Sequence, residues 1–290
     1  MCYGSRQVEK TTKNALQALD LARVKGIPVL QGRGSPILGG NGAVCAEVHG
    51  ESGLDLHGVV LPEPSQQPTA CDNFLLFLRS LILDAREPTT IVGTGAMSNI
   101  AVLLLAFPEV RSRITGVHLM GGAWGSGNMS PDAEWNVMVD APAAQLVFQA
   151  GLDVPVFLVT LEVTHQNLVT KERLEQISAA CGSNRRLAAV LRALMTFFQE
   201  SYAREFKMPD APLHDPLALA TVLAPELFSF TKRRVDVETS ASSLCVGRTS
   251  VDLFGRSKKP ANVWVADTCD INGFWRLFGA AIANIAERTN

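Results

Sequence analysis

The sequence is poor in charge, and the charge it has is balanced. Only 19% of its 290 residues are Asp, Glu, Lys or Arg, and 26 basic against 28 acidic residues leave a formal net charge of −2. No basic stripe suited to a phosphate backbone is present, so nucleic acid is not an expected partner. Lys232-Arg233-Arg234 and Arg256-Ser257-Lys258-Lys259 are short clusters that read as solvated loops. The six cysteines stand far apart, at positions 2, 45, 71, 181, 245 and 269, without a Cys-x-x-Cys pair. That spacing argues against zinc ribbons, dithiol redox motifs and dense disulfide scaffolds, and reduced thiols are expected. No apolar run approaches the ~18 residues of a membrane span, and Met1-Cys2-Tyr3-Gly4-Ser5-Arg6 lacks the apolar core of a signal peptide. No membrane partner is therefore expected, and a cytoplasmic location is. Internal repeats and low-complexity tracts are absent too.

What is present is a core-forming chain. Hydrophobic residues make up 47%, and a chain of this length can fold as one α/β domain spanning 1–290. Periodicity predicts helices over 8–25, 72–83, 100–106, 141–150, 170–180, 184–206, 214–222 and 271–287. Asp140 and Pro142 suit the start of the fourth of these. Short apolar or β-branched runs predict strands over 27–30, 89–92, 154–159, 235–237, 244–246 and 263–265. Strands separated by helices predict an open, mainly parallel, Rossmann-like sheet flanked by helices. A helix starting near residue 8 with no strand before it is odd for such a sheet, and implies a missing partner strand. The apolar stripe Leu187, Val190, Leu191, Leu194, Phe197 and Phe198 reads as core. Glycines and prolines crowd 31–68, the signature of a functional or mobile loop.

The chain is organised around 117–136. Val117 to Met120 reads as a strand, a glycine pair breaks it, and a Gly-rich loop then delivers Asn128, Glu134 and Asn136. Ligands of open α/β sheets bind beyond the carboxyl ends of the strands, where such loops begin. Asn and Glu offer donors and acceptors to a polyhydroxylated ligand. If Ala133 to Asn136 is extended, Glu134 and Asn136 share one face. On spacing alone, a polar surface turn explains the stretch equally well.

Met120-Gly121-Gly122-Ala123, Gly127-Asn128 and Ala133-Glu134-Trp135-Asn136 followed by Val139-Asp140 resemble the signature of the inosine–uridine-preferring nucleoside hydrolases. Ala211-Pro212-Leu213-His214-Asp215-Pro216 is similar to that family's His-Asp motif, and Val163-Thr164-His165 to its Val-Thr-His. Similarity runs from about Gly4 to the Phe274-Trp275-Arg276-Leu277-Phe278 helix. The resemblance implies a hydrolase that splits ribonucleosides into base and ribose, with a small-molecule nucleoside as partner and a homodimeric or homotetrameric assembly. It assigns ribose hydroxyls to Glu134 and Asn136, the sugar's 5′ region to Asn128, protonation of the leaving base to His214, and a lid-loop substrate contact to His49. Ca²⁺ would be held by Asp215 and by the backbone carbonyl of Ser98. His165 reads as structural.

The departures bear on the metal. The family opens with a strand ending in Asp-x-Asp-x-x-x-Asp-Asp, and nothing similar precedes Gly4; Ser5 stands where Gly-Asn is usual, and Glu162 replaces an aspartate. The expectation is a first strand that is missing, Ca²⁺ binding weakened or lost, and hydrolysis impaired. Two explanations stay open: an N-terminally short form of a working hydrolase, or a catalytically inactive homologue that binds nucleosides or partners.

Overall fold

The structure is a computed structural model describing residues 5–40 and 44–289. Gly4, where the resemblance begins, and Cys2 lie outside the described residues. The chain opens with α1 (Ser5–Leu21), and a long irregular stretch then carries the single turn α2 (Ala46–His49). The regular part follows: α3 (Phe74–Leu83), β1 (Thr89–Gly93), α4 (Ser98–Ala106), β2 (Ile114–Met120), α5 (Trp135–Met138), α6 (Ala141–Ala150) and β3 (Val156–Val159). Next come α7 (Leu161–Thr164), α8 (Lys171–Ala180), α9 (Arg185–Glu205), α10 (Asp215–Leu223), β4 (Phe228–Arg233), β5 (Val235–Val237), β6 (Thr249–Val251), β7 (Val263–Cys269) and α11 (Ile271–Thr289).

Among the described residues the main sheet has the order β1-β2-β3-β7-β4. Its first four strands run parallel, and β4 closes the far edge antiparallel to β7. A separate antiparallel ribbon is made by β5 and β6. The parallel strands read as near-continuous apolar runs because both their faces are covered. One face, with Val117, Leu119, Val156, Leu158, Val263 and Val265, packs on Leu103 and Leu104 of α4 and on Ala144, Val147 and Phe148 of α6. Val159 and Ala266 face Leu174, Leu217, Phe274, Trp275 and Ile282 of α8, α10 and α11. The result is an α/β sandwich of helices on a mostly parallel sheet.

Helix starts follow local chemistry. Asn73 Oδ1 accepts from Leu75 and Leu76 N–H, Asp140 Oδ1 from Ala143 N–H, Thr170 Oγ1 from Arg173 N–H, and Asn184 Oδ1 from Leu187 N–H. Elsewhere tertiary context overrides local pattern. Residues 27–30 are not a strand: Val29 trades hydrogen bonds with Thr69 alone, and Pro28 has no N–H to extend a ladder. The expected strand at 244–246 is a turn with Leu244 almost wholly exposed, and pairing begins at Thr249. Ala133 to Asn136 is not extended either. Glu134 instead starts the short helix α5.

Asn262 joins three elements. It is fully buried, its Oδ1 accepts from Val235 N–H at 2.7 Å, and its Nδ2 donates to the carbonyls of Phe148 and Val235 at 3.0 and 2.9 Å. Replacing it by Leu strands those backbone groups in the core, at about 1–3 kcal/mol for an unsatisfied buried group. Urea unfolding of Asn262→Leu is expected to show a loss of about 2–4 kcal/mol; a loss under about 1 kcal/mol would mean that the backbone finds other partners.

Candidate active site

The loops leaving β1, β2 and β3 meet at one end of the sheet, and the loop after β2 is built on Glu134. This residue is only 2% exposed. Its Oε2 accepts from Gly122 N–H at 2.8 Å and Val137 N–H at 3.3 Å, and its Oε1 from Asn136 N–H at 2.9 Å. One carboxylate thus caps α5 and ties that helix back to the end of β2. Gly122 sits at φ +73°, a conformation that favours glycine. At Gly127 a Cβ would lie 2.2 Å from the Ala133 carbonyl, so no side chain fits. Asn128 Oδ1 accepts from Trp135 N–H at 2.9 Å, and Asn136 Nδ2 donates to Met120 O at 3.1 Å. Burial pushes Glu134 up to about 7; its three N–H partners oppose the shift and the charge of Asp215 adds to it.

The opposite wall comes from α9 and the start of α10. His214 Nε2 is 2.8 Å from Tyr202 Oη, and its Nδ1 is 2.7 Å from Thr164 Oγ1. The Thr164 hydroxyl donates to Leu161 O at 3.5 Å. That bond leaves its lone pairs to an Nδ1–H, and Nε2 then accepts the phenol proton. Burial lowers His214 to about 3, helped by His165 and His49, so the imidazole is neutral. Burial holds the Tyr202 phenol above its usual range. Asp215 is reachable by solvent from the cleft yet ringed by protein on its other sides, and that burial raises it.

Together these walls enclose a cavity of about 420 Å³ that takes in His49, Asn128, Glu134, Asn136, His214 and Asp215. A larger depression of about 570 Å³ between α1 and residues 52–63 gathers none of them. His49 packs its ring on Phe198, centroids 5.9 Å apart, and burial lowers it to about 4. Ser98, expected to offer its backbone carbonyl, is not among the residues that line the cavity. It lies in the first turn of α4, where a carbonyl points down the helix axis, and its hydroxyl donates to Asp140. Thr94, on the turn before that helix, lines the cavity instead. His165 is not a lining residue; it packs against His214 with ring centroids 5.6 Å apart.

Sequence reasoning missed Tyr202, Thr164 and Thr94. It also assigned the whole α9 stripe to the core, whereas Leu191, Leu194 and Phe198 line the cavity beside Met195 and Phe278. Leu187 and Val190 of the same stripe are buried. For a metal, Asp215 and the Thr94 turn offer oxygen, which suits a hard cation. Among the described residues, however, no group of three or more His, Cys, Asp or Glu converges to hold one.

Glu134 generates a pH prediction. Its folded value of about 7 lies above the ordinary 4.5, so its contribution to stability is complete below about pH 4.5 and fades as pH rises through 7. Relative to Glu134→Gln, the native protein should lose stability between about pH 4.5 and 7, with a slope of up to about 1.4 kcal/mol per pH unit. Chemical denaturation of both proteins across that range tests this, and parallel curves would show that the carboxyl stays ionised.

Comparison with known proteins agrees along nearly the whole chain. The profile of the inosine-uridine preferring nucleoside hydrolases matches residues 1–276. A probable ribonucleoside hydrolase of Dictyostelium discoideum is 38% identical, with 97% of this chain and 85% of that protein covered. The pyrimidine-specific ribonucleoside hydrolase RihA of Escherichia coli O81 (strain ED1a) is 39% identical over 93% of this chain and 84% of its own. The purine-preferring ribonucleoside hydrolase from Gardnerella vaginalis superimposes with a TM-score of 0.85 at 26% identity, covering 97% of this chain and 87% of that one. No helix among the described residues is long and apolar enough to cross a membrane. With the profile spanning this cavity's residues and the fold matching, the chain belongs to the inosine-uridine preferring nucleoside hydrolase family.

Proposed function

We propose that this protein hydrolyses the N-glycosidic bond of ribonucleosides, releasing free base and ribose in the cavity between Glu134 and His214. The observation that carries the reading is the convergence in one cavity of two carboxylates raised by burial, Glu134 and Asp215, with the hydrogen-bonded His214–Tyr202 pair. Cleavage of this bond develops positive charge on the sugar and negative charge on the base. The carboxylates answer the first of these, and the proton donors answer the second.

Ribose would lie against Asn128, Glu134 and Asn136. Asn128 Oδ1 and Asn136 Nδ2 are engaged by the protein, so Asn128 Nδ2 and Asn136 Oδ1 are the ends we assign to the ligand. The base would lie among Leu191, Leu194, Met195, Phe198 and Phe278, with His49 at the rim. His214 is neutral at rest, so it is not a ready acid. Negative charge growing on the departing base raises the imidazole's proton affinity, and it favours turning the single Tyr202 phenol proton, donated to His214 Nε2 at rest, toward the base. The metal is proposed to be calcium, with Asp215 as one ligand and the Thr94 turn as a neighbouring oxygen source. A bound divalent cation would lower the pKa of the attacking water and orient it.

Incubating the protein with uridine or inosine and calcium should release base and ribose, measured by chromatography and a reducing-sugar assay. His214→Ala should lower kcat on both nucleosides by about 10²–10⁴-fold, and Tyr202→Phe by less. Both losses should shrink for p-nitrophenyl riboside, whose leaving group needs no proton. No ribose release by the native protein would favour a nucleoside-binding protein without catalysis. A loss independent of the leaving group would remove His214 from its role.

A further inference from the structure

The single turn α7 stands between the two walls of the cavity. Its Thr164 meets His214, as described above. Its Glu162 reaches the other way: Oε1 accepts from Trp124 N–H at 3.0 Å and from Gly125 N–H at 2.8 Å. Both N–H groups belong to the loop after β2, where no strand or helix supplies them with an acceptor. Below this contact the two loops are zipped together, Gly121 N–H to Val159 O and Leu161 N–H to Gly122 O, each at 3.0 Å. Glu162 is the last of these ties before the loop reaches Gly127, whose N–H donates to Pro131 O at 3.1 Å, and then Asn128. Its second oxygen, Oε2, is shut off from solvent and has no hydrogen-bond partner, so the residue's described polar contacts to the loop all run through Oε1. The fit is close, since a Cβ on Gly125 would lie 3.3 Å from that oxygen.

We propose that Glu162 is a positioning residue for ribose binding, its carboxylate pinning Trp124 and Gly125 so that Asn128 is presented to the sugar. A carboxylate is acceptor-only and binds N–H groups more strongly than a neutral amide oxygen does. One such oxygen holding two successive N–H groups fixes the course of the backbone, and the Asn128 side chain is set three residues later. This inference rests on the reading of Asn128, Glu134 and Asn136 as the ribose wall.

The test combines uridine kinetics, p-nitrophenyl riboside kinetics and calorimetric binding of D-ribose. Glu162→Ala should raise KM and the D-ribose dissociation constant by about tenfold or more, with kcat changed by less than about threefold. The factor should be the same for both substrates, because the loop meets sugar and not base. Glu162→Gln keeps the Oε1 acceptor and should stay within about threefold of the native KM. Gly125→Ala crowds the same oxygen and should raise KM in the native background, but add nothing to Glu162→Ala. Asn128→Ala is the reference. If it leaves KM and D-ribose binding unchanged, the ribose-wall reading fails and takes this inference with it. If it weakens both while Glu162→Ala weakens neither, the inference alone is overturned. A Gln variant as impaired as Ala, or a loss confined to uridine, would also overturn it. Should Glu162→Ala fail to fold, an unchanged KM in Gly125→Ala decides against the proposal.

Discussion

The site depends on one buried carboxylate. Moving Glu134 out of water costs several kcal/mol, and hydrogen bonds to a charged group return about 1.5–3 kcal/mol each. Three backbone N–H groups offset the burial only in part, and with the value lifted to about 7 the balance leans toward the neutral form. The surrounding glycines follow from this contact. Gly121 leaves room where a Cβ would lie 3.3 Å from Glu134 Oε2, and Gly122 turns its N–H toward that same oxygen at φ +73°. A composition that reads as loop punctuation is, in three dimensions, the consequence of wrapping backbone donors around a single side chain.

Burial moves every titrating group of the cavity toward its neutral form. Glu134 and Asp215 rise, His214 and His49 fall, and Tyr202 rises. A desolvated carboxylate gains most from a cation placed beside it, and an apolar-lined donor gains most from an anion. A nucleoside is neutral until its glycosidic bond stretches, and then it becomes both. The cavity's unfavourable solvation of charge is therefore relieved in the transition state more than in the ground state, which is the condition for catalysis by electrostatic complementarity.

What was legible in the sequence was local or motif-borne. Asn73, Asp140, Thr170 and Asn184 cap helices within three residues of themselves, so short windows reveal them. Asn128, Glu134, Asn136, His214 and Asp215 were readable from the resemblance and share one cavity. Contacts between distant segments were not legible. The Thr164–His214 hydrogen bond spans 50 positions, and no local period announces it. Ser98 and Thr94 are four residues apart on one strand-to-helix turn, and only the folded turn decides which of them lines the cavity. The α9 stripe is helical throughout, but where the core ends along it and the cavity begins depends on α10 and α11. Val190 is in the core while Leu191 and Leu194 face the cavity.

That division of α9 has a mechanical consequence. One helix supplies the apolar surface expected to hold the base and, at Tyr202, the phenol bonded to His214. Its buried residues Leu187 and Met195 pack in the same cluster as Leu174, Phe274 and Trp275 of α8 and α11. The surface proposed for the base and Tyr202 thus ride on one helix, whereas Asn128 and Glu134 belong to a loop held by backbone hydrogen bonds. Relative motion between the walls can change the grip on ribose without changing the register between base and Tyr202. Packing fixes the wall proposed to receive the base, and hydrogen bonds to loops fix the wall proposed to receive ribose.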